Sequence, residues 1–303
     1  MIYTLTFNPA LDYSVFLDEL KVSEVNRTKD DYILAGGKGI NVSIVLKNLG
    51  FDSTALGYIA GFTGDEIERE IVEKGVTCDF IKLEKGHSRI NVKIKADQET
   101  EINGRGPVIE DKDIEALYQQ LGKLQAGDLL ILSGNVPASL PQTMYHDIMK
   151  SLQNKGIDFI VDATGESMLA TLEYRPFMIK PNHHEIAELF DVEVKSNEDI
   201  IELAKKLQAK GARNVVVSMA GAGAILVGEN GETAYSQTPK GTLVNSVGAG
   251  DSLVAGFVAG YLETKDLEKA FINGICTGSA SAFSRDLATK EEVEALKKQL
   301  LEK

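Results

Sequence analysis

Cysteine is scarce in this chain. Cys78 and Cys276 are its only two, and neither sits in the paired spacing of a metal knuckle or a disulfide framework. A reduced, cytoplasmic protein is therefore expected. Basic clusters are missing as well. Lys and Arg total 32 against 45 Asp and Glu, for a net charge of −13, and no run of cations would grip a nucleic acid or a membrane surface. A small anionic substrate stays open, because it needs only a few local cations. Long apolar runs are absent too. The longest nearly apolar stretch, 253–262, falls far short of a bilayer. Residues 2–7 read as a strand with no basic segment before them, so no signal peptide is expected. Internal repeats and low-complexity segments are also lacking.

What is present is an ordinary globular composition, 43% hydrophobic and 25% charged over 303 residues, enough for one large α/β domain with a small accessory piece. Apolar strand-like runs at 2–7, 54–58, 128–132, 158–161 and 214–218 alternate with helical patterns at 39–48, 65–74, 111–121, 141–150, 198–210, 252–262 and 267–282. A charged helix follows from Lys290. Such alternation predicts a mainly parallel sheet covered on both faces. Ligands of such sheets bind outside the carboxyl ends of the strands. That points to the turns holding Asn8, Ser133-Gly134, Asp162, Lys180 to Glu185 and Ser218 to Gly223. Four other segments, 12–17, 27–34, 88–96 and 99–102, read as polar strands with one apolar face. In 88–96, Ile90, Val92 and Ile94 alternate with Arg89, Asn91, Lys93 and Lys95, the pattern of a half-exposed strand. These pieces predict a small sheet inserted into the main domain.

Two glycine-rich stretches carry the chemistry. Asn245 to Phe257 reads as a turn into a small-residue helix. Gly248 and Gly250 allow close approach of a ligand to the backbone, and a helix start offers unpaired amides to an anion. Asp251 at that spot is an N-cap in one reading. In the other it is a base that takes a proton from a hydroxyl attacking a phosphoryl group held by those amides. The second stretch, Ala35 to Ser43, places Gly36, Gly37, Lys38, Gly39 and Asn41 between a strand and a helix. Asn41 offers both donor and acceptor to sugar hydroxyls. Neither stretch has the spacing of a Walker A loop or a dinucleotide fingerprint.

Together, the early Gly-Gly-Lys-Gly-x-Asn-x-Ser and the late Gly-Ala-Gly-Asp resemble the two signatures of the ribokinase-like carbohydrate kinases, the pfkB family. The resemblance covers essentially the whole chain. It implies a three-layer αβα core with a mainly parallel sheet over 1–10, 36–87 and 104–303, and a β-sheet lid over 11–35 and 88–103. It implies ATP and Mg²⁺ as cofactors and a homodimer formed through the lid. The segments Thr6 to Asp12, Gly37 to Ser43 and Glu99 to Pro107 are similar to the branch that phosphorylates fructose 1-phosphate to fructose 1,6-bisphosphate. Tagatose-6-phosphate kinases are neighbours of that branch, and fructose 6-phosphate is a further alternative acceptor.

By that resemblance Asp251 is the catalytic base, and the backbone of Gly248, Ala249 and Gly250 is the anion hole. Asp12, Gly37, Asn41 and Ser133 contact the sugar. The acceptor's own phosphate needs cations, for which Lys38, Arg89, Arg27 and Arg105 are candidates. Lys180, Asn182 and Glu185 belong near the nucleotide phosphates, with Asn182 and Glu185 reaching Mg²⁺ directly or through water. Ser218, Gly221 and Gly223 form a nucleotide-side loop. Asn273, on a helix rich in small residues, either leaves room for the adenine base or serves close helix packing. His183 and His184 read as surface residues, since adjacent side chains on a helix start point apart and no third zinc ligand is evident.

Overall fold

The strands of the main sheet alternate apolar residues between two separate cores, and that division sets the layers. The computed structural model describes residues 1–301. The chain opens with β1 (Ile2–Thr6), β2 (Ala10–Phe16), β3 (Asp30–Gly36) and α1 (Lys38–Asn48). It continues through β4 (Thr54–Ala60), α2 (Gly61–Glu73), β5 (Thr77–Leu83), β6 (Arg89–Lys95), β7 (Thr100–Asn103) and α3 (Asp111–Leu121). The middle holds β8 (Leu129–Ser133), α4 (Met144–Leu152), β9 (Asp158–Asp162), α5 (Gly165–Leu169), β10 (Met178–Ile179) and α6 (His183–Leu189). Then come α7 (Asn197–Ala209), β11 (Asn214–Ser218), β12 (Ala224–Val227), β13 (Thr233–Ser236), α8 (Ala249–Thr264), α9 (Leu267–Phe283) and α10 (Lys290–Leu301).

The main sheet runs β13-β12-β11-β10-β9-β8-β1-β4-β5. It is parallel from β11 to β5, with the β12–β13 hairpin antiparallel at one edge. Leu130 and Leu132 enter the core under α3, α4 and α7, while Ile131 enters the core under α1, α8 and α9. Val215 and Val217 divide from Val216 in the same way. A strand buried on both faces must be apolar at every position, which is why these runs showed no alternation. The chain turns outward in opposite directions from β1 and β8, and a crevice opens above their carboxyl ends.

A second sheet, β3-β2-β6-β7, carries the alternating segments. Its polar face is not the solvated one. Asn91 and Lys93 are buried, whereas Ile90 is 40% exposed. The polar face is turned inward, where Asp12 takes up its charge, and part of the apolar face stays outside.

Several elements differ from expectation. β5 was not anticipated, because Thr-Cys-Asp-Phe-Ile-Lys-Leu shows neither clean alternation nor a continuous apolar run. The helix expected at 65–74 begins earlier, with Gly61 as the first residue of α2. The stretch after Pro181 continues as α6, closed by a capping box in which Asn182 and Glu185 satisfy each other's ends.

Candidate active site

Asp251 stands in the first turn of α8, which starts after Gly248 at φ +78°, a left-handed conformation that glycine adopts without strain. The Ala249 amide reaches Ser246 O at 3.3 Å, and Ser252 closes the first full turn on Gly248 O at 2.8 Å. First-turn amides have no acceptor within their own helix. The Asp251 carboxylate is buried and accepts a hydrogen bond from Asn41 Nδ2 at 2.8 Å. Burial, then the nearby Asp162 charge, raise its pKa to about 6, against the opposing pull of Asn41, Lys38 and Lys180. A carboxylate with that pKa is ionised at neutral pH and is still basic enough to accept a proton.

A buried ion group lies beside it. Asp162, at the end of β9, has Lys180 Nζ 3.1 Å from Oδ1 and Lys38 Nζ 3.6 Å from Oδ2. Burial alone would raise the Asp162 pKa, but Lys180 and Lys38 outweigh it and hold the carboxyl below its ordinary 3.8. For Lys38, burial opposes the charge, yet Asp162, Asp251 and Glu185 together hold its pKa above the usual lysine value. Ser133 and Asp162 are paired across β8 and β9, and Leu5 pairs with Leu132 one residue earlier. Thr6, Ser133 and Asp162 thus form a polar row across three adjacent strand ends. Thr6 Oγ1 and Ser133 Oγ in that row are buried without a hydrogen-bond partner.

Two clefts are lined by neighbouring elements, and Asp251 itself lines neither. One, of about 790 Å³, is lined by Ala249 and Gly250, by Ser218, Gly221 and Gly223, and by Gly278 and Ser279 of α9. The other, of about 700 Å³, is lined by Gly37, Lys38, Arg89, Arg105, Ser133 and Asn135. Arg89 donates from Nε to Asn8 O at 3.0 Å, which aims it along the strand edge. Asp12 is clamped by Lys93 Nζ at 2.9 Å and by Asn91 Nδ2 at 2.8 Å. It lines a narrow recess with Asn41 and Gly36.

Several expected residues lie elsewhere or act otherwise. Arg27 is exposed on the β2–β3 connection and lines neither cleft. Asn273 is buried and donates from Nδ2 to Gly256 O at 2.7 Å, tying α9 to α8. It is a packing residue and leaves the cleft wall to Ile275, Gly278, Ser279, Ala282 and Phe283. A Cβ at Gly274 would sit 2.9 Å from Leu253 O, so the small residues there serve the helix contact. Lys180 lies beneath α8 on Asp162 and does not line the larger cleft. Asn182 Oδ1 accepts the His184 and Glu185 amides, each at 2.9 Å. That leaves the amide nitrogen of Asn182 for the cleft, and an N–H group does not ligate a metal. His183 and His184 do not point apart: their rings lie 3.8 Å between centroids, and both line the larger cleft.

Asp162, Asn91 and Lys93 were not singled out as site residues. A buried Asp ending an apolar strand was the available signal for Asp162. For Asn91 and Lys93 the strict alternation was visible, but which face turns inward was not.

A family model for pfkB family carbohydrate kinases matches residues 6–293. The chain belongs to the pfkB family of carbohydrate kinases. This kinase is 46% identical over 296 residues to the 1-phosphofructokinase of Bacillus subtilis (strain 168), covering 98% of this chain and 97% of that protein. It is 35% identical to a D-tagatose-1-phosphate kinase of Bacillus licheniformis, covering 99% and 98%. Among solved structures, a putative phosphofructokinase from Staphylococcus aureus superposes with a TM-score of 0.87 at 42% identity, covering 99% and 97%. The kinase is thus a phosphotransferase on a ribokinase-like α/β fold. Among the described residues, no helix is long and apolar enough to cross a membrane.

Proposed function

We propose that the kinase transfers the γ-phosphoryl group of ATP to the free primary hydroxyl of D-fructose 1-phosphate, giving fructose 1,6-bisphosphate. The observation that carries this reading is the buried Asp251 carboxylate, held by Asn41 at the head of α8, next to Gly250 of the larger cleft and under the charge of Lys38 of the smaller one. In this reading ATP occupies the larger cleft, with its terminal phosphate at the backbone of Gly248, Ala249 and Gly250. The sugar phosphate occupies the smaller cleft, with its phosphate facing Lys38, Arg89 and Arg105. Asp12 and Asn41 accept and donate to sugar hydroxyls. Asp251 then takes the proton of the attacking hydroxyl as the new O–P bond forms and the bond to the ADP oxygen breaks.

Among the described residues no cluster of three His, Cys, Asp or Glu side chains is placed to hold a metal ion. That fits magnesium, which keeps several waters and relies on substrate phosphates. In this reading Glu185 would hold it through water, which is supported by its Oε2 accepting from the Asn182 amide at 2.7 Å and by its charge acting on Lys38. Bound there, magnesium would supply charge neutralisation on the phosphates.

The acceptor is supported by the names of the relatives. The tagatose relative is named for the 1-phosphate, so tagatose 1-phosphate joins tagatose 6-phosphate as an alternative acceptor. Fructose and tagatose differ at one ring carbon, and a clamped carboxylate such as Asp12 is suited to reading that hydroxyl, because an unpaired partner is costly. A coupled ADP-release assay should rank fructose 1-phosphate at least about tenfold above tagatose 1-phosphate, tagatose 6-phosphate and fructose 6-phosphate in kcat/KM. A higher value for either tagatose phosphate would reassign the acceptor, and no turnover with any of them would point to a non-catalytic binding protein.

Residues 11–35 and 88–103 act in this reading as a lid that excludes water on closure, and as the dimer contact. Register places Ile33, Tyr13, Val92 and Ile102 in one row on the outer face, and Ile33 and Ile102 are 48% and 58% exposed. Light scattering should report two chains per particle, and Ile33→Glu should shift the protein to monomer. A monomeric wild type at micromolar concentration would rule out this contact.

A further inference from the structure

The larger cleft carries little positive charge for the role assigned to it. Lys240 is the one lysine in its lining, and no arginine lines it among the described residues. Lys38 and Lys180 pair with Asp162 and do not line this cleft. A nucleoside triphosphate brings three linked phosphates, and the first turn of α8 meets only the part beside Asp251. Nor does α6 offer a set of free amides, because the Asn182 side chain already accepts from His184 and Glu185.

What α6 turns toward the cleft is a pair of imidazoles. His183 and His184 both line it, across from Ser218 and Thr238. Their ring centroids are 3.8 Å apart at an interplanar angle of 39°. Consecutive positions on a helix diverge by about 100°, so this pairing needs both side chains to bend toward one space. His183 Nδ1 is buried without a hydrogen-bond partner. A neutral imidazole carries one N–H donor, so the pair offers two donors whatever its protonation state.

We infer that His183 and His184 together form a contact for the phosphates that the reaction does not transfer, donating ring N–H groups to their non-bridging oxygens. His183 and His184 line the cleft and Asp251 does not, so the pair is assigned to the portion of the polyphosphate away from the reacting hydroxyl. This rests on the larger cleft being the nucleotide cleft.

The test is calorimetric. ATP, ADP and adenosine are titrated into wild type, His183→Ala/His184→Ala and His183→Gln/His184→Gln. The alanine pair should weaken ATP and ADP about tenfold or more, since it removes hydrogen bonds to a charged group, and should leave adenosine unchanged. The glutamine pair, which keeps N–H donors, should recover most of the loss. The acceptor's KM at saturating ATP should stay as in wild type. Equal weakening of adenosine would show that the rings pack on the base or shape the cleft, and would overturn the inference. So would unchanged ATP binding in the alanine pair. If wild type binds neither ATP nor ADP, the assignment of the cleft itself fails, which is a separate outcome.

Discussion

Asp251→Asn is expected to lower kcat by about 10²- to 10⁴-fold, leave the acceptor's KM nearly unchanged and make the protein more stable at pH 8. The first effect follows from removing the proton acceptor while keeping shape and the Asn41 contact, since an asparagine oxygen accepts the Asn41 N–H. The gain in stability follows from burial. The folded-state pKa of Asp251 is raised to about 6 from an ordinary 3.8, so the fold prefers the protonated form. Above pH 6 the ionised carboxylate costs stability, on the order of 3 kcal/mol for that separation. Below pH 4 the group is protonated whether folded or unfolded, and the cost vanishes. Urea melts at pH 8 and pH 4 should show the asparagine variant gaining at the first and not at the second. For wild type, kcat/KM should fall on the acid side with an apparent pKa near 6. Near-normal turnover in Asp251→Asn would sink the base assignment, whatever the stability did.

Asp162→Ala should be the most destabilising single change at the site, by about 3–5 kcal/mol, because it leaves Lys180 buried without its counter-charge. That is a large fraction of the roughly 5–15 kcal/mol by which a domain is stable. Replacing both partners, as Asp162→Ala/Lys180→Met, should recover at least half of the loss, since an apolar pair has no charge to strand. The pH dependence has the opposite sense to that of Asp251. The Asp162 pKa is held below 3.8 when folded, so its contribution is present above that pH and fades as pH falls through the folded value. Urea denaturation at pH 7.5 decides the matter. A loss below 1 kcal/mol for the single variant would mean that water reaches Lys180 and that the group is not a closed ion cluster.

These two carboxylates also show where sequence reasoning was strong and where it stopped. The place of Asp251 was readable because its neighbours, Gly248 and Gly250, mark a helix start, and local chain geometry needs only local residues. Asp162 was seen as the end of a strand, but its partners come from the first residue of α1, Lys38, and from the residue after β10, Lys180, and only the fold brings them within reach. The same limit explains Asn273. Its helix is dense in small residues under either reading, and only the Gly256 carbonyl opposite it shows that packing takes the side chain. The inward face of β6 could not be told from its alternation, because a period of two names two faces without saying which one is covered. The histidines were misjudged for a related reason: spacing along a helix sets where side chains begin, and rotamers set where they end.

The second sheet is joined to the first by four lengths of chain: residues 7–9, Gly37, residues 84–88 and residues 104–110. Two of these are lashed to each other, by Asn8 Nδ2 on Arg105 O at 2.8 Å, and Asn8 O also accepts from Arg89 Nε at the start of β6 at 3.0 Å. A plate hung on four short tethers does not swing like a door on one hinge. Under the proposed function it would tilt as a unit: Arg89, Asn91, Lys93 and Asp12 all sit on its underside, so a tilt would bring the proposed phosphate contact and the proposed hydroxyl contact to the acceptor in a single motion.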